Sequence, residues 1–111
     1  MRYISRTVDV PAAGTRVQVS NTRDRVLWIR FTARQGNVGG VYVGDSTVSA
    51  TNGRELRPPE TTTGYDQMTQ TEYDFGRYPG PAGQPGSVLL NVFYVDADTG
   101  GNDVDWEAML F

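Results

Sequence analysis

The sequence predicts an all-β protein: a single-domain antiparallel β-sandwich or jelly roll of seven to eight short strands. Three observations predict it. Apolar residues recur with a period of two over short runs, the spacing of a strand with one buried face. Clusters of Gly, Pro, Asn and Asp break those runs at short intervals, with 13 Gly and 6 Pro among 111 residues. Val, Thr and Tyr are frequent, and no stretch is rich in the Ala, Leu, Glu and Lys that build helices. A chain this long buries roughly two-thirds of its unfolded surface around one core, so residues 1–111 are expected to form one β domain.

Taken in order, a first strand is predicted over residues 2 to 10, with Ile4, Val8 and Val10 on one parity, ended by Pro11 and Gly14. A second, over 15 to 20, places Val17 and Val19 inward. After a turn at Asn21 to Asp24, "RVLWIRFTAR" sets Leu27, Ile29, Phe31 and Ala33 on one face and Val26, Trp28, Arg30 and Thr32 on the other. A Trp between Val and Arg exceeds what solvation requires. That second face is expected to meet a partner, or a second sheet or loop of the same chain.

Short strands follow at 40 to 44 and 54 to 57, joined by turns through "GDSTVSATNG", and Pro58-Pro59 ends the pairing because proline donates no ladder hydrogen bond. Residues 60 to 70 are polar and read as a loop. "QTEYDFGRY" supplies a strand with Tyr73 and Phe75 on one parity. In "GRYPGPAGQPG", residues 76 to 86, seven of eleven residues are Gly or Pro, so an exposed loop or arm is expected there. "SVLLNVFYVDAD" is nearly continuous apolar sequence and reads as a central strand. "TGGND" turns the chain, and "VDWEAMLF" closes it with Val104, Trp106, Ala108 and Leu110 inward.

Composition removes whole mechanisms. With no Cys there is no disulfide, thiolate nucleophile or zinc-thiolate site. With no His the commonest general base is missing. All ten basic residues are Arg, which excludes lysine chemistry, and a net charge of −3 gives no electrostatic basis for nucleic-acid binding. The N-terminus lacks the apolar run of about 7–15 residues of a signal peptide. No segment approaches the roughly 18 apolar residues of a membrane span. The expectation is a protein made in a cytoplasm, with no membrane partner and no cofactor.

Two local motifs suggest chemistry. Gly44-Asp45-Ser46 has the form of a hydrolase nucleophile motif, but a hydroxyl needs a positioned base, and the chain has neither the usual His nor a Lys to replace it. Asp45 is better read as an Asx-type turn former, within a structural turn that includes Gly44, Asn52 and Gly53, the glycines chosen for backbone freedom. In "DADTGGNDVDWE" the residues Asp96, Asp98, Gly101 and Glu107 match four positions of a calcium loop, while Gly100 departs from it. A weak calcium candidate is therefore Asp96, Asp98 and Asp103, with Asp105 beside them, against a simple Gly-Gly hairpin flanked by solvated acids.

The stretch "VYVGDSTVSATNGRELRPPE" and the closing "VFYVDADTGGNDVDWEAMLF" together resemble small all-β proteins of tailed-phage virions. In those proteins a Tyr-Val-Gly strand end leads through a Val-Ser-x-x-Asn-Gly turn to Leu-x-Pro and an acid, and an aromatic-Val-Asp-Ala run leads to the last strand. "VDVPAAGTRVQV" fits their opening strands. Pro58-Pro59 departs from the more usual Pro-Gly, and the Gly/Pro-rich 76 to 86 stretch is an addition. The resemblance implies a non-enzymatic head decoration (cement) protein on the outer capsid surface of a virion. Its implied partner is the major capsid protein and its implied state a homotrimer. Trp28, Arg30, Tyr78, Pro79, Pro81 and Pro85 are the expected interface residues. The alternatives are a tail, fibre or baseplate accessory, or a carbohydrate-binding module using some of the Tyr and Trp side chains.

Overall fold

A computed structural model describes residues 1–58, 68–75 and 88–111. Among these residues there are eight strands: β1 (Arg2–Val10), β2 (Val17–Gln18), β3 (Val26–Ala33), β4 (Val41–Gly44), β5 (Arg54–Leu56), β6 (Gln70–Asp74), β7 (Tyr94–Ala97) and β8 (Asn102–Leu110). They form two four-stranded antiparallel sheets, sheet A in the order β1-β8-β3-β6 and sheet B in the order β2-β7-β4-β5. Within these orders β1 lies beside β8, β2 beside β7, β3 beside β6 and β4 beside β5. That nesting is a long antiparallel ribbon folded over on itself, the winding of a jelly roll. The predicted single-domain sandwich is thus observed. No helix among the described residues is long and apolar enough to cross a membrane.

The core lies between the sheets. Sheet A contributes Val26, Ile29, Phe31, Val104, Trp106, Ala108 and Leu110, and sheet B contributes Val41, Val43, Leu56, Val95 and Ala97, all buried. Strict alternation in β8 (buried at every even residue) shows that one face of sheet A supplies this layer. Each large apolar side chain removed from water contributes about 1.5–3 kcal/mol. Phe31, Tyr73, Phe75 and Phe93 close one end of the core, with ring centroids 5.6 Å apart for Phe31–Phe93 and 6.3 Å for Phe31–Tyr73.

Four sequence expectations need correction. Val26 is buried and Leu27 only half-buried, the reverse of the predicted parity. The cause is a β-bulge: Val26 pairs with Leu110 and Trp28 with Met109, so Leu27 is an extra residue that flips the start of β3. Second, "SVLLNVFYVDAD" is not one strand, since Leu90–Val92 form a 3₁₀ turn before β7 begins at Tyr94. A period near three buries both Leu90 and Phe93 and leaves Val92 43% exposed. Apolar runs of this kind do not distinguish strand from helical turn by periodicity. Third, the 15 to 20 strand is reduced to Val17–Gln18, although Val19 is inward as expected. Fourth, the strand expected in "QTEYDFGRY" begins at Gln70 as read but ends at Asp74, with Phe75 in a turn. The 76 to 86 loop lies outside the described residues.

Candidate functional site

The register of sheet A builds its outer face row by row. One row runs Tyr3–Met109–Trp28–Asp74 across β1, β8, β3 and β6. The next runs Ser5–Glu107–Arg30–Glu72, and the third Thr7–Asp105–Thr32–Gln70. Each row follows from antiparallel pairing, which sets directly opposed residues on the same side of the sheet. The sheet's other face is the core, so this one is turned away from sheet B.

Arg30 is the centre of the face. Its guanidinium donates to Glu107 Oε1 at 3.0 Å and to Glu72 Oε1 at 2.9 Å, joining three strands. The same guanidinium lies 5.8 Å from the centroid of the Trp28 ring, within cation–π range. The hydrogen bond to Glu72 and that residue's charge hold the guanidinium above its ordinary pKa. Tyr3 donates its hydroxyl to Glu107 Oε2, and this bond raises the phenol above its usual value. The Tyr3 and Trp28 rings stand 6.2 Å apart at 52°. Tyr3 is 52% exposed, so the aromatic row meets solvent. Beside it Ser5, Arg30, Thr32, Asp105 and Glu107 line a depression of about 210 Å³.

Of the predicted interface residues, Trp28 and Arg30 are therefore adjacent on one surface. Trp28 is half-buried on the face turned away from sheet B, and its aromatic and cationic neighbours among the described residues are Tyr3 and Arg30. Tyr78, Pro79, Pro81 and Pro85 lie outside the described residues. Tyr3, Glu72 and Glu107 were missed by sequence reasoning. The alternation of "VDWEAMLF" already sets Glu107 on the outer parity, but only the register shows which strands flank it.

The Gly-Asp-Ser stretch is a turn. Asp45 Oδ1 accepts from the Thr47 amide at 2.8 Å and the Thr47 hydroxyl at 2.6 Å, and these bonds lower the Asp45 pKa. A second tight turn pairs Ser49 with Asn52, whose side-chain amide donates to the Thr47 carbonyl at 3.2 Å. Packing restricts both Gly44 and Gly53, and Gly53, at a φ of +159°, also uses the expected backbone freedom. Both face the buried Val48 side chain, and a Cβ would lie 3.1 Å from its Cγ2 at Gly44 and 2.6 Å at Gly53.

The acidic hairpin is also committed to the fold. Asp96, 3% exposed, accepts from the Gly14 amide at 3.0 Å and the Ala97 amide at 2.8 Å. Asp98 accepts from the Gly40 amide at 2.9 Å and the Tyr42 hydroxyl at 2.7 Å, which together hold its carboxyl below the usual range. Asp103 is pushed up by desolvation and by Asp9, its neighbour on β1. Asp105 pairs with Arg34 at 3.3 Å. These acids serve separate partners, and among the described residues no group of three or more potential ligands is gathered for a metal ion.

Compared with known proteins, the chain matches no family model, no curated protein and no solved structure.

Proposed function

We propose that the protein is a non-enzymatic virion component, a head decoration protein that binds the major capsid protein on the outside of the particle through the outer face of sheet A. The observation that carries this reading is the Tyr3–Trp28 pair beside the Arg30 hub, on a sheet face that no other strand among the described residues covers. Aromatic and Arg side chains are the groups that dominate protein interfaces, and here the Glu72 and Glu107 pairings hold Arg30 in place before any partner arrives. Jelly rolls recur in capsid and lectin domains, which agrees with the resemblance of the two turn-rich stretches to phage virion proteins without deciding function.

Co-sedimentation with purified heads and purified tails of the phage that encodes the chain tests the reading. The protein should pellet with heads alone, and Trp28→Ala combined with Arg30→Ala should abolish pelleting while the far-ultraviolet dichroism is retained. Pelleting with tails would move it to the accessory class. The homotrimer proposed with this role predicts a sedimenting mass three times that of the 12.2 kDa chain; monomers both in solution and on the particle would exclude it. A carbohydrate-binding role ranks second, because rings inclined at 52° do not form a coplanar sugar platform. Glycan-array binding lost on Trp28→Ala would promote it.

A further inference from the structure

The open flank of the sandwich carries a groove of about 780 Å³ between β1 and the segment that follows β2. One wall is the unbroken run of residues 2 to 7; the other is Val19, Ser20, Thr22 and Asp24, and Trp106 contributes to the lining between them. A cavity over one face of a strand would touch alternate residues. This one touches six consecutive residues, so it runs along the backbone edge of β1 for about 20 Å.

That edge is free. β1 is the terminal strand of sheet A and pairs over all nine residues with β8 alone. The Gly101 amide donates to the Val10 carbonyl, which assigns the even residues of β1 to β8. The odd residues Tyr3, Ser5 and Thr7 then turn their backbone groups to the groove. In agreement, the Ser5 carbonyl accepts from the Arg6 guanidinium at 2.8 Å instead of from a strand. No Pro or bulge blunts this edge, two of the common protections against strand addition.

The groove also has a charge preference. Arg6 lies opposite Trp106 in the register and forms no ion pair with a carboxylate among the described residues. Arg2, at the groove's end, is itself exposed and pairs among the described residues with Asp24 at 3.1 Å. Trp106 is 3% exposed, and its buried indole N–H has no acceptor among the described residues, an arrangement that is costly unless something supplies one.

We propose that this groove binds an extended, acidic segment of a partner polypeptide, which adds as a strand to β1 and sets a carboxylate beside Arg6. Backbone pairing at Tyr3, Ser5 and Thr7 supplies attachment, and the cationic flank supplies selection. A second copy of β1 is a poor occupant, because it would bring its own Arg2 and Arg6 to the same side of the sheet. The site uses the backbone edge of β1, whose Tyr3 and Ser5 side chains also belong to the sheet A face, and it does not depend on the decoration role.

The test uses two blocked seven-residue peptides, Thr-Val-Thr-Glu-Thr-Val-Thr and the same sequence with Lys at its centre, titrated into the isotopically labelled protein. The Glu peptide should slow amide exchange at Tyr3, Ser5 and Thr7, shift the Trp106 indole proton but not that of Trp28, and bind at least about tenfold more tightly than the Lys peptide. Arg6→Glu should invert that preference. Ser5→Pro, which removes an edge N–H without touching the β8 ladder, should abolish binding. Equal binding of the two peptides, or no slowing at the three amides, overturns the proposal. So does protection that grows with protein concentration in the absence of peptide, which would assign the edge to a second copy.

Discussion

Val48 fills the space that Gly53 leaves empty: a Cβ on Gly53 would stand 2.6 Å from Val48 Cγ2 and 3.1 Å from the Val43 carbonyl oxygen. Val48 is 1% exposed and β-branched, so it has little freedom to move aside. Gly53→Ala should therefore destabilise the protein by about 1–3 kcal/mol, the usual cost of overpacking. Pairing it with Val48→Ala should recover part of that loss, since the smaller side chain makes room. Urea unfolding of the two single variants and the double variant measures the coupling, and strict additivity would mean that the two positions do not compete for space.

Ser46 is exposed and accepts or donates no hydrogen bond among the described residues, whereas its neighbours Asp45 and Thr47 hold the turn. Ser46→Ala should leave melting temperature and head binding unchanged. Asp45→Ala should lower the melting temperature by removing both Thr47 bonds, and thermal scans of the pair separate a structural turn from a reactive serine.

Tyr42 is buried beside Asp98, and desolvation followed by its hydrogen bond to that carboxylate pushes the phenol up to about 12. A raised phenol pKa means that the fold favours the neutral form. Its contribution is complete below the unfolded value of about 10 and is lost as pH rises through the folded value. Tyr42→Phe should be less stable than the parent at pH 8 by about 1 kcal/mol. The gap should narrow from pH 10 upward, close by about pH 11 and reverse towards pH 12, since lifting the phenol from 10 to about 12 corresponds to roughly 2.7 kcal/mol. Denaturant titrations of both proteins across that range provide the check, and a constant gap would contradict it.

Asp9 and Asp103 face each other across β1 and β8 as like charges. Desolvation and Asp9 both raise the Asp103 pKa, so ionising the pair weakens the fold at neutral pH and protonation relieves it on acidification. Asp9→Asn should raise the melting temperature at pH 7 by about 2–4 °C, with the gain fading as pH falls through the raised Asp103 value. Calorimetry at pH 7 and pH 4 distinguishes this from a pH-independent packing effect.

Period-two patterning located β1, β3, β4, β5, β6 and β8 to within a residue or two, because one buried face imposes the alternation on the residues themselves. It misjudged Val26 and Leu27, since a bulge shifts parity in the middle of a run and leaves no mark in composition. It also misjudged Leu90–Val92, where tertiary packing favours a period of three. The candidate face was half legible. Trp28 and Arg30 stood out as excess apolar and charged side chains on an outward parity, whereas Tyr3, Glu72 and Glu107 join them only through the order β1-β8-β3-β6, which no local pattern encodes. Gly44 and Gly53 are legible as turn glycines, and the positive φ of Gly53 agrees with that reading, but the contact of both with Val48 is a distance and not a propensity.

The nested ribbon also has a kinetic meaning. Its innermost rung, Val43 opposite Arg54, closes the 45 to 53 turn and needs only a short loop, whereas the outermost, Arg2 opposite Leu110, joins the two ends of the sequence. Closure entropy rises with that separation, so the strand pairs should assemble from the β4–β5 tip outward, with β1 and β3 waiting for β8 to arrive between them. During synthesis β8 emerges last of the eight strands. Until it does, both long strands of sheet A stand without their shared neighbour, and the growing chain is at its most exposed to misassociation just before it is rescued.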